Sequence, residues 1–308
     1  MKQWLSHSRR KQLAVILFSL FITESFGQQA AQFTQYMFNG LVLNPAYAGA
    51  DEALSLTFIG RQQWTGIEGA PSTQTFSAHT LIKAKHIGVG LNLVNDKIGV
   101  HRNLNVMSSY SYRIQLDRKT FLSFGIQAGI HNSRSDYNSI QRANDPALLN
   151  VVAAKTSFDF GAGIYFGSPR LVLGFSAPTI LPQNIELNDS VGVHFKGDNF
   201  FLLASYRIKI NEAVEMQPGV LLKYRQDVPL SYDVNLNMIY RQVLTLGLSY
   251  RREESIDFLF KAQATPQLQL GYAYDYPLQS ASVMGAGSHE LMVNYLFRYP
   301  STNSTSPR

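Results

Sequence analysis

The sequence predicts an all-β protein, a transmembrane antiparallel β-barrel of about 14 strands of the outer-membrane type. Three observations point there. Segment after segment alternates with period two: Leu268, Leu270, Tyr272, Tyr274 and Tyr276 take one face of a strand, and Gln269, Gly271, Ala273 and Asp275 the other. Beyond the first residues, no stretch is apolar for long enough to form a membrane helix. The gaps between alternating segments also differ in length according to their parity along the chain.

The chain opens on a targeting segment, residues 1–27. Lys2, Arg9, Arg10 and Lys11 make a positive start, Leu13 to Ile22 an apolar middle, and Ser25 and Gly27 a small-residue cleavage site, so a signal peptide ending before Gln28 is expected. An uncleaved anchor helix is the alternative, but the apolar run is short of the roughly 20 residues that span a bilayer. The leader holds four of the 27 basic and one of the 21 acidic residues, so its removal lowers the net charge from +6 to +3. What remains has no concentrated basic surface, which excludes a nucleic-acid partner. Cysteine is absent, so an exported chain must be held by burial or by a closed hydrogen-bond network. A hydrophobic content of 45% with a mean hydropathy of −0.09 suits a barrel, in which only every second strand residue faces lipid.

The strands expected, in order, lie near residues 53–63, 72–83, 86–95, 103–116, 119–131, 156–167, 170–177, 198–209, 213–224, 230–240, 243–251, 255–264, 267–276 and 288–298. Leu122, Phe124, Ile126, Ala128 and Ile130 oppose Ser123, Gly125, Gln127 and Gly129; Tyr232, Val234, Leu236, Met238 and Tyr240 oppose Asp233, Asn235 and Asn237. A soluble β-sandwich alternates in the same way, so connection lengths decide between the two. The even-numbered connections are short: 84–85, 116–119, 167–170, 210–213, 241–242 and 265–266. All long ones are odd-numbered: 64–71, 96–102, 132–155, 178–199 and 277–287; two odd-numbered ones, 226–229 and 252–254, are short, so the parity is a tendency. Short turns on the periplasmic rim and long loops on the outer rim are a property of membrane barrels, and a sandwich has no reason for them.

Tyrosines fall at both strand ends, Tyr224, Tyr250, Tyr274 and Tyr276 outside and Tyr112, Tyr206, Tyr240 and Tyr295 inside, as two interfacial belts. The glycines of one face (Gly88, Gly90, Gly125, Gly129, Gly161, Gly163, Gly219, Gly247, Gly271) are expected to look inward, leaving space for a channel or for close approach of a plug. Residues 28–52 form an N-terminal periplasmic or lumenal segment ahead of the barrel (53–298), and residues 299–308 a polar, disordered periplasmic tail. The segment from Gln32 to Gly49 is apolar, alternates poorly and is punctuated by Asn-Pro and Ala-Gly. Such a stretch needs a covering surface: the lumen, another protein, or the barrel rim.

That segment carries the runs Gln35-Tyr36-Met37-Phe38-Asn39 and Asn44-Pro45-Ala46-Tyr47-Ala48-Gly49. Further on come Arg61-Gln62-Gln63-Trp64, Gly69-Ala70-Pro71-Ser72-Thr73, Asn92 with Asp96 and Gly99, Asp159-Phe160-Gly161-Ala162-Gly163, Tyr274-Asp275-Tyr276 and Gly287-Ser288-His289-Glu290. In these motifs, in order along the mature chain, the sequence resembles the PorP/SprF family of type IX secretion system outer-membrane proteins of the Bacteroidetes. The resemblance implies a non-enzymatic barrel of the protein-secretion and gliding-motility machinery, without a cofactor, sited in the outer membrane. It implies two kinds of partner besides outer-membrane lipid. One is a large secreted surface protein; the other is the periplasmic ring or peptidoglycan-binding components of the secretion system. The matching positions with most to say about such contacts are Tyr36, Phe38, Asn39, Asn44, Pro45, Ala46, Tyr47, Gly49, Arg61, Trp64, Gly69, Pro71, His289 and Glu290.

Two other readings compete. For an enzyme, the histidines are scattered outside any nucleophile motif, and adjacent His289 and Glu290 point to opposite faces of a strand; pinning the last loop is the role expected of them. Arg61 and Trp64 would stack or pair at the first outer loop, or Trp64 would serve in the girdle. A diffusive porin or substrate channel is the alternative function, although wide aqueous lumens belong to barrels of about 16–18 strands.

Overall fold

The computed structural model describes residues 33–136, 152–181, 183–188, 191–195, 199–226, 228–278 and 287–297. The leader, the tail beyond Phe297 and the middle of the longest outer connection lie outside these residues. Each alternating segment forms a strand: β1 (Leu54–Gln62), β2 (Ser72–Ile82), β3 (Ile87–Ile98), β4 (His101–Asp117), β5 (Thr120–Asp136), β6 (Val152–Gly167) and β7 (Leu171–Ala177). After a separate hairpin of β8 (Gln183–Asn188) and β9 (Val191–Phe195) come β10 (Asn199–Tyr206), β11 (Ile208–Lys209), β12 (Val214–Arg225), β13 (Val228–Tyr240), β14 (Leu244–Arg251), β15 (Ser255–Gln263), β16 (Leu268–Pro277) and β17 (Ser288–Phe297).

Every neighbour in the large sheet is antiparallel and, apart from the β8–β9 excursion and the closing β1–β17 pair, next in sequence. β10 and β11 both pair with β12 and make one stave, interrupted where the Arg207 amide turns to the Arg170 carbonyl at 2.7 Å. β1 pairs with β17 from Leu54↔Phe297 to Gln62↔His289, so the sheet closes on itself as a barrel of 14 strands. Closure leaves no edge in the sheet, which lipid requires because it cannot satisfy free backbone groups.

Burial is inverted relative to a soluble protein. Phe58, Phe76, Ile126, Phe158, Leu246, Phe258 and Leu291 are exposed on the outside, while Thr57, Ser77, Asn235, Asn237, Glu290 and Asn294 are buried inside. The exterior is the lipid belt and the polar face lines the lumen. The expected strands agree with those observed to within a few residues. The even-numbered connections are all short and share one rim, while the opposite rim carries every long connection together with the short ones between Arg225 and Val228 and between Arg251 and Ser255. One connection differs. Residues 96–102, read as a long outer loop, form a tight turn, because β3 continues to Ile98 and β4 starts at His101, with Gly99 at φ +53° between them. The strands flanking the longest loop also run on, to Asp136 and from Val152.

Inside the ring lies Phe33–Ala53, coiled through three single 3-10 turns, Tyr36–Phe38, Gly40–Val42 and Pro45–Tyr47. It is buried along nearly its whole length. Its first residues lie against the outer ends of β1, β16 and β17, and its last against the inner ends of β2 and β4. The lumen is its covering surface: the segment is a plug. Apolar plug residues meet the few apolar inward residues of the wall. Tyr36 and Phe38 pack in one cluster with Ile59, Leu221, Leu259 and Met292, and Tyr47 packs in another with Phe121 and Tyr165.

Candidate functional site

The plug is fixed at three levels. At the outer level, the backbone amides of Thr34 and Gln35 donate to the two carboxylate oxygens of Glu290 at 2.9 and 2.8 Å. The Thr34 hydroxyl donates to Asp275 at 2.8 Å and accepts from Arg61 at 2.8 Å. Arg61 forks between Asp275 at 2.6 Å and Glu290 at 3.1 Å, all three buried. Arg251 continues the network to Asp257 and Asp233, each at 3.6 Å, and Lys223 pairs with Asp233 at 2.8 Å. Alternation explains the cluster. Arg61, Asp275 and Glu290 take inward positions of three adjacent strands, and the register sets Arg61 opposite Glu290. Buried charges persist only when paired and hydrogen-bonded in this way.

At the middle level the contacts are neutral. Asn39 donates to Ser77 at 2.9 Å, which in turn donates to Asn92; Asn235 donates to the Tyr36 hydroxyl at 2.8 Å. Asn44 caps the third turn by accepting from the Ala46 amide at 2.9 Å, while its own amide donates to the Ile164 carbonyl at 2.9 Å. The inward glycines are what allow this proximity. A Cβ on Gly125 would lie 2.2 Å from the Ala46 nitrogen, and one on Gly88 would lie 2.0 Å from the Ala48 oxygen. Of the two expectations for the glycine face, the approach of another backbone is what the lumen holds.

At the inner level, Arg113 donates to the Gly49 carbonyl at 2.7 Å, pairs with Glu52 at 2.9 Å and stacks on Phe121. Ser111 donates to the Ala48 carbonyl at 2.7 Å, and the Gly49 amide to His79 Nδ1 at 3.2 Å. His79 also faces Asp51, which accepts from the Tyr47 hydroxyl at 3.1 Å. Gly49 sits at φ +82°, where a side chain would be strained, and turns the plug toward β1.

Tyr36, Phe38, Asn39, Asn44, Pro45, Ala46, Tyr47, Gly49, Arg61 and Glu290 thus converge in the lumen. The remaining four do not. Trp64 is half-exposed in the first outer loop, its amide on the Ser288 hydroxyl at 3.3 Å, and it does not stack on inward-facing Arg61. Gly69 and Pro71 shape the same loop through carbonyls that accept from Gly99 and Gln63. His289 lies on the lipid side, bonded to the Tyr272 hydroxyl at 2.7 Å. The strand pleat sends His289 outward and Glu290 into the plug, and residues 279–286 of the last loop, which the pair is expected to pin, lie outside the described residues. Thr34, Arg113, Glu52, Asp51, His79 and Arg251 complete the lumenal network without having been singled out from sequence, together with Asp275, which the sequence offered only as the middle of the Tyr274-Asp275-Tyr276 motif. The available signal was charge at inward positions of alternating strands, as at Arg113 and Arg251. The Asp159 motif acts elsewhere: its carboxylate accepts from the amides of Ile180 and Leu181 at 3.1 Å each, folding the start of the β7–β10 connection against β6.

An apolar-outside, polar-inside ring of 14 strands with a resident N-terminal segment defines an outer-membrane β-barrel protein with an occupied lumen. The family model described as type IX secretion system membrane protein PorP/SprF matches residues 25–295. The chain belongs to that family and is a β-barrel of the type IX secretion system in the outer membrane. No curated protein matches it. Similar solved structures include the Acinetobacter baumannii outer membrane protein Omp33 (TM-score 0.47, 9% identity, 82% of this chain and 100% of that one). Others are a Pseudomonas aeruginosa FadL homologue (0.48, 12%, 83% and 93%) and the Pseudomonas putida toluene transporter TodX (0.48, 11%, 88% and 95%). Likeness at that level says nothing of what this chain carries.

Proposed function

We propose that this barrel is a scaffold rather than a conduit: an outer-membrane component that partners a large secreted protein in its export and attachment at the cell surface. The observation that carries the reading is the occupied lumen. A segment fixed by buried ion pairs at its outer end and by Arg113 at its inner end leaves, beside the plug, a cavity of about 70 Å³ lined by residues such as Tyr36, Asn44, Tyr165 and Gln217. That holds a few waters, not a solute stream. The surfaces left for a partner are then the rims and the outer connections, of which those between β5 and β6 and between β7 and β10 are the longest. Family membership supplies the secretion context. Anchoring to periplasmic ring or peptidoglycan-binding components is the other role within that context; the long outer connections favour the surface-protein role.

The test has two parts. Purified protein in planar bilayers is expected to give no large, stable single-channel steps, and extraction in mild detergent is expected to bring down a very large secreted polypeptide. Reproducible large conductance from wild-type protein would overturn the scaffold reading in favour of a porin. Recovery of periplasmic ring components alone would move the chain to the anchoring role.

A further inference from the structure

The inner rim carries a charge pattern that plug and scaffold leave unused. Four of its six turns bear exposed cations, Lys83 and Lys85 after β2, Arg118 and Lys119 after β4, Arg170 after β6 and Arg241 after β13, and exposed Lys209 ends β11 at a fifth. The exposed carboxylates beside them are Asp117 and Glu212, and half-buried Glu52 and Glu215 with buried Asp51 complete the acidic groups at this rim among the described residues. Glu212 is committed to Lys209 at 2.8 Å, Glu52 to Arg113 and Lys83, and Glu215 faces Arg207 at 3.7 Å. Among the described residues, Lys85, Arg118, Lys119, Arg170 and Arg241 have no carboxylate within ion-pair reach. The arc is strongly cationic and uncompensated.

Its depth in the membrane is fixed by its apolar neighbours. Exposed Ile82 is next to Lys83, exposed Leu116 lies two residues before Arg118, exposed Ile210 follows Lys209, and exposed Tyr240 and Val243 flank Arg241, which stacks on the Tyr240 ring at 5.3 Å. A tyrosine belt marks the hydrocarbon–water boundary, and a cation one to three residues past it sits in the headgroup layer, not free in the periplasm. A rim that reached for an acidic protein would carry its charge on turns projecting clear of the belt; these turns are two to four residues long.

We propose that this arc is a binding surface for anionic phospholipid headgroups of the inner leaflet of the outer membrane, recognised through their phosphate and net negative charge. The surface is independent of whichever secretion partner the barrel serves. Each cation near an anionic membrane surface is worth about a fivefold preference, screened by salt within about 8–10 Å.

The experiment uses full-length protein in detergent, titrated with phosphatidylglycerol or phosphatidylcholine of identical chains. Native mass spectrometry counts bound lipids, and the thermal unfolding midpoint is followed in parallel. The comparison is a variant carrying Lys85→Gln, Arg118→Gln, Lys119→Gln, Arg170→Gln and Arg241→Gln, all exposed and outside the plug network. Wild-type protein is expected to bind phosphatidylglycerol at least about tenfold in preference to phosphatidylcholine and to gain thermal stability from it. The variant is expected to lose the preference yet unfold at the same lipid-free midpoint, and 0.5 M NaCl to erase it in wild type. An equal response to both lipids, or a preference that survives in the variant, overturns the proposal. So does a thermal gain from inorganic phosphate that matches the gain from the lipid, and so does loss of a co-purifying periplasmic protein from the variant with lipid preference intact.

Discussion

At the scale of single residues, Arg61 is the centre of the outer latch. Its guanidinium neutralises two buried carboxylates, and it also holds the Thr34 hydroxyl. Arg61→Ala strands Asp275 and Glu290 as buried charges, so a loss of about 3–5 kcal/mol is expected, read as an earlier urea midpoint for loss of heat-modifiable migration. Glu290→Gln keeps the shape and should cost less, because the amide oxygen still accepts one of the two plug N–H groups. A double-mutant cycle between the two positions should show clear coupling, since they share one network. The glycines give a paired contrast. Gly125→Val drives a side chain into the Ala46 backbone and should unseat the middle of the plug. Gly60→Ala, which meets only the Phe58 ring at 3.7 Å, should change stability by no more than about 0.5 kcal/mol.

At the scale of elements, the plug and the strands obey different rules, and that is why one was legible in the sequence and the other was not. Strands announce themselves: alternation at Leu122–Ile130 or Tyr232–Tyr240 gives type, facing and, with turn parity, direction. Boundaries differed where a strand ran on past its clearly alternating part, as at Ile98 and His101, and where one expected strand, 198–209, is interrupted at Arg207. The plug has no period. Its apolar character and its Asn-Pro turn said it was covered, and nothing local said by what. Its partners Arg113 and His79 were visible only as polar residues on an inward face, and Asp275 only as part of the Tyr274-Asp275-Tyr276 motif, since their grouping depends on register across the closed ring. Two outcomes belong to this scale. Ile126→Arg, in the middle of β5 on the lipid face, should cost about 2–4 kcal/mol in bilayer refolding. Deleting residues 33–50 should leave a ring that still migrates as a folded barrel but now conducts in planar bilayers, where the intact chain is silent. Silence in both would mean the plug is not what closes the lumen.

At the scale of the whole molecule, the outer latch joins the beginning of the chain to its end. Thr34 and Gln35 hold Glu290 across 256 and 255 residues, and Arg61 reaches Asp275 across 214. Side-chain contacts of similar reach cross the same seam, as from Asn294 to Ser55 over 239 residues and from Trp64 to Ser288 over 224, and contacts of such separation form late and slowly. The N-terminal segment is made first yet finds its outer partners last, on β16 and β17. Until those strands arrive, its amides and the Arg61 charge lack the carboxylates that accept them. A chain truncated before Ser288 should therefore show more than a missing strand: its N-terminal segment should be cut by added protease in the refolded product, whereas full-length protein protects it. The latch thus works as a completeness check, in which seating of the first residues certifies that the last have been delivered.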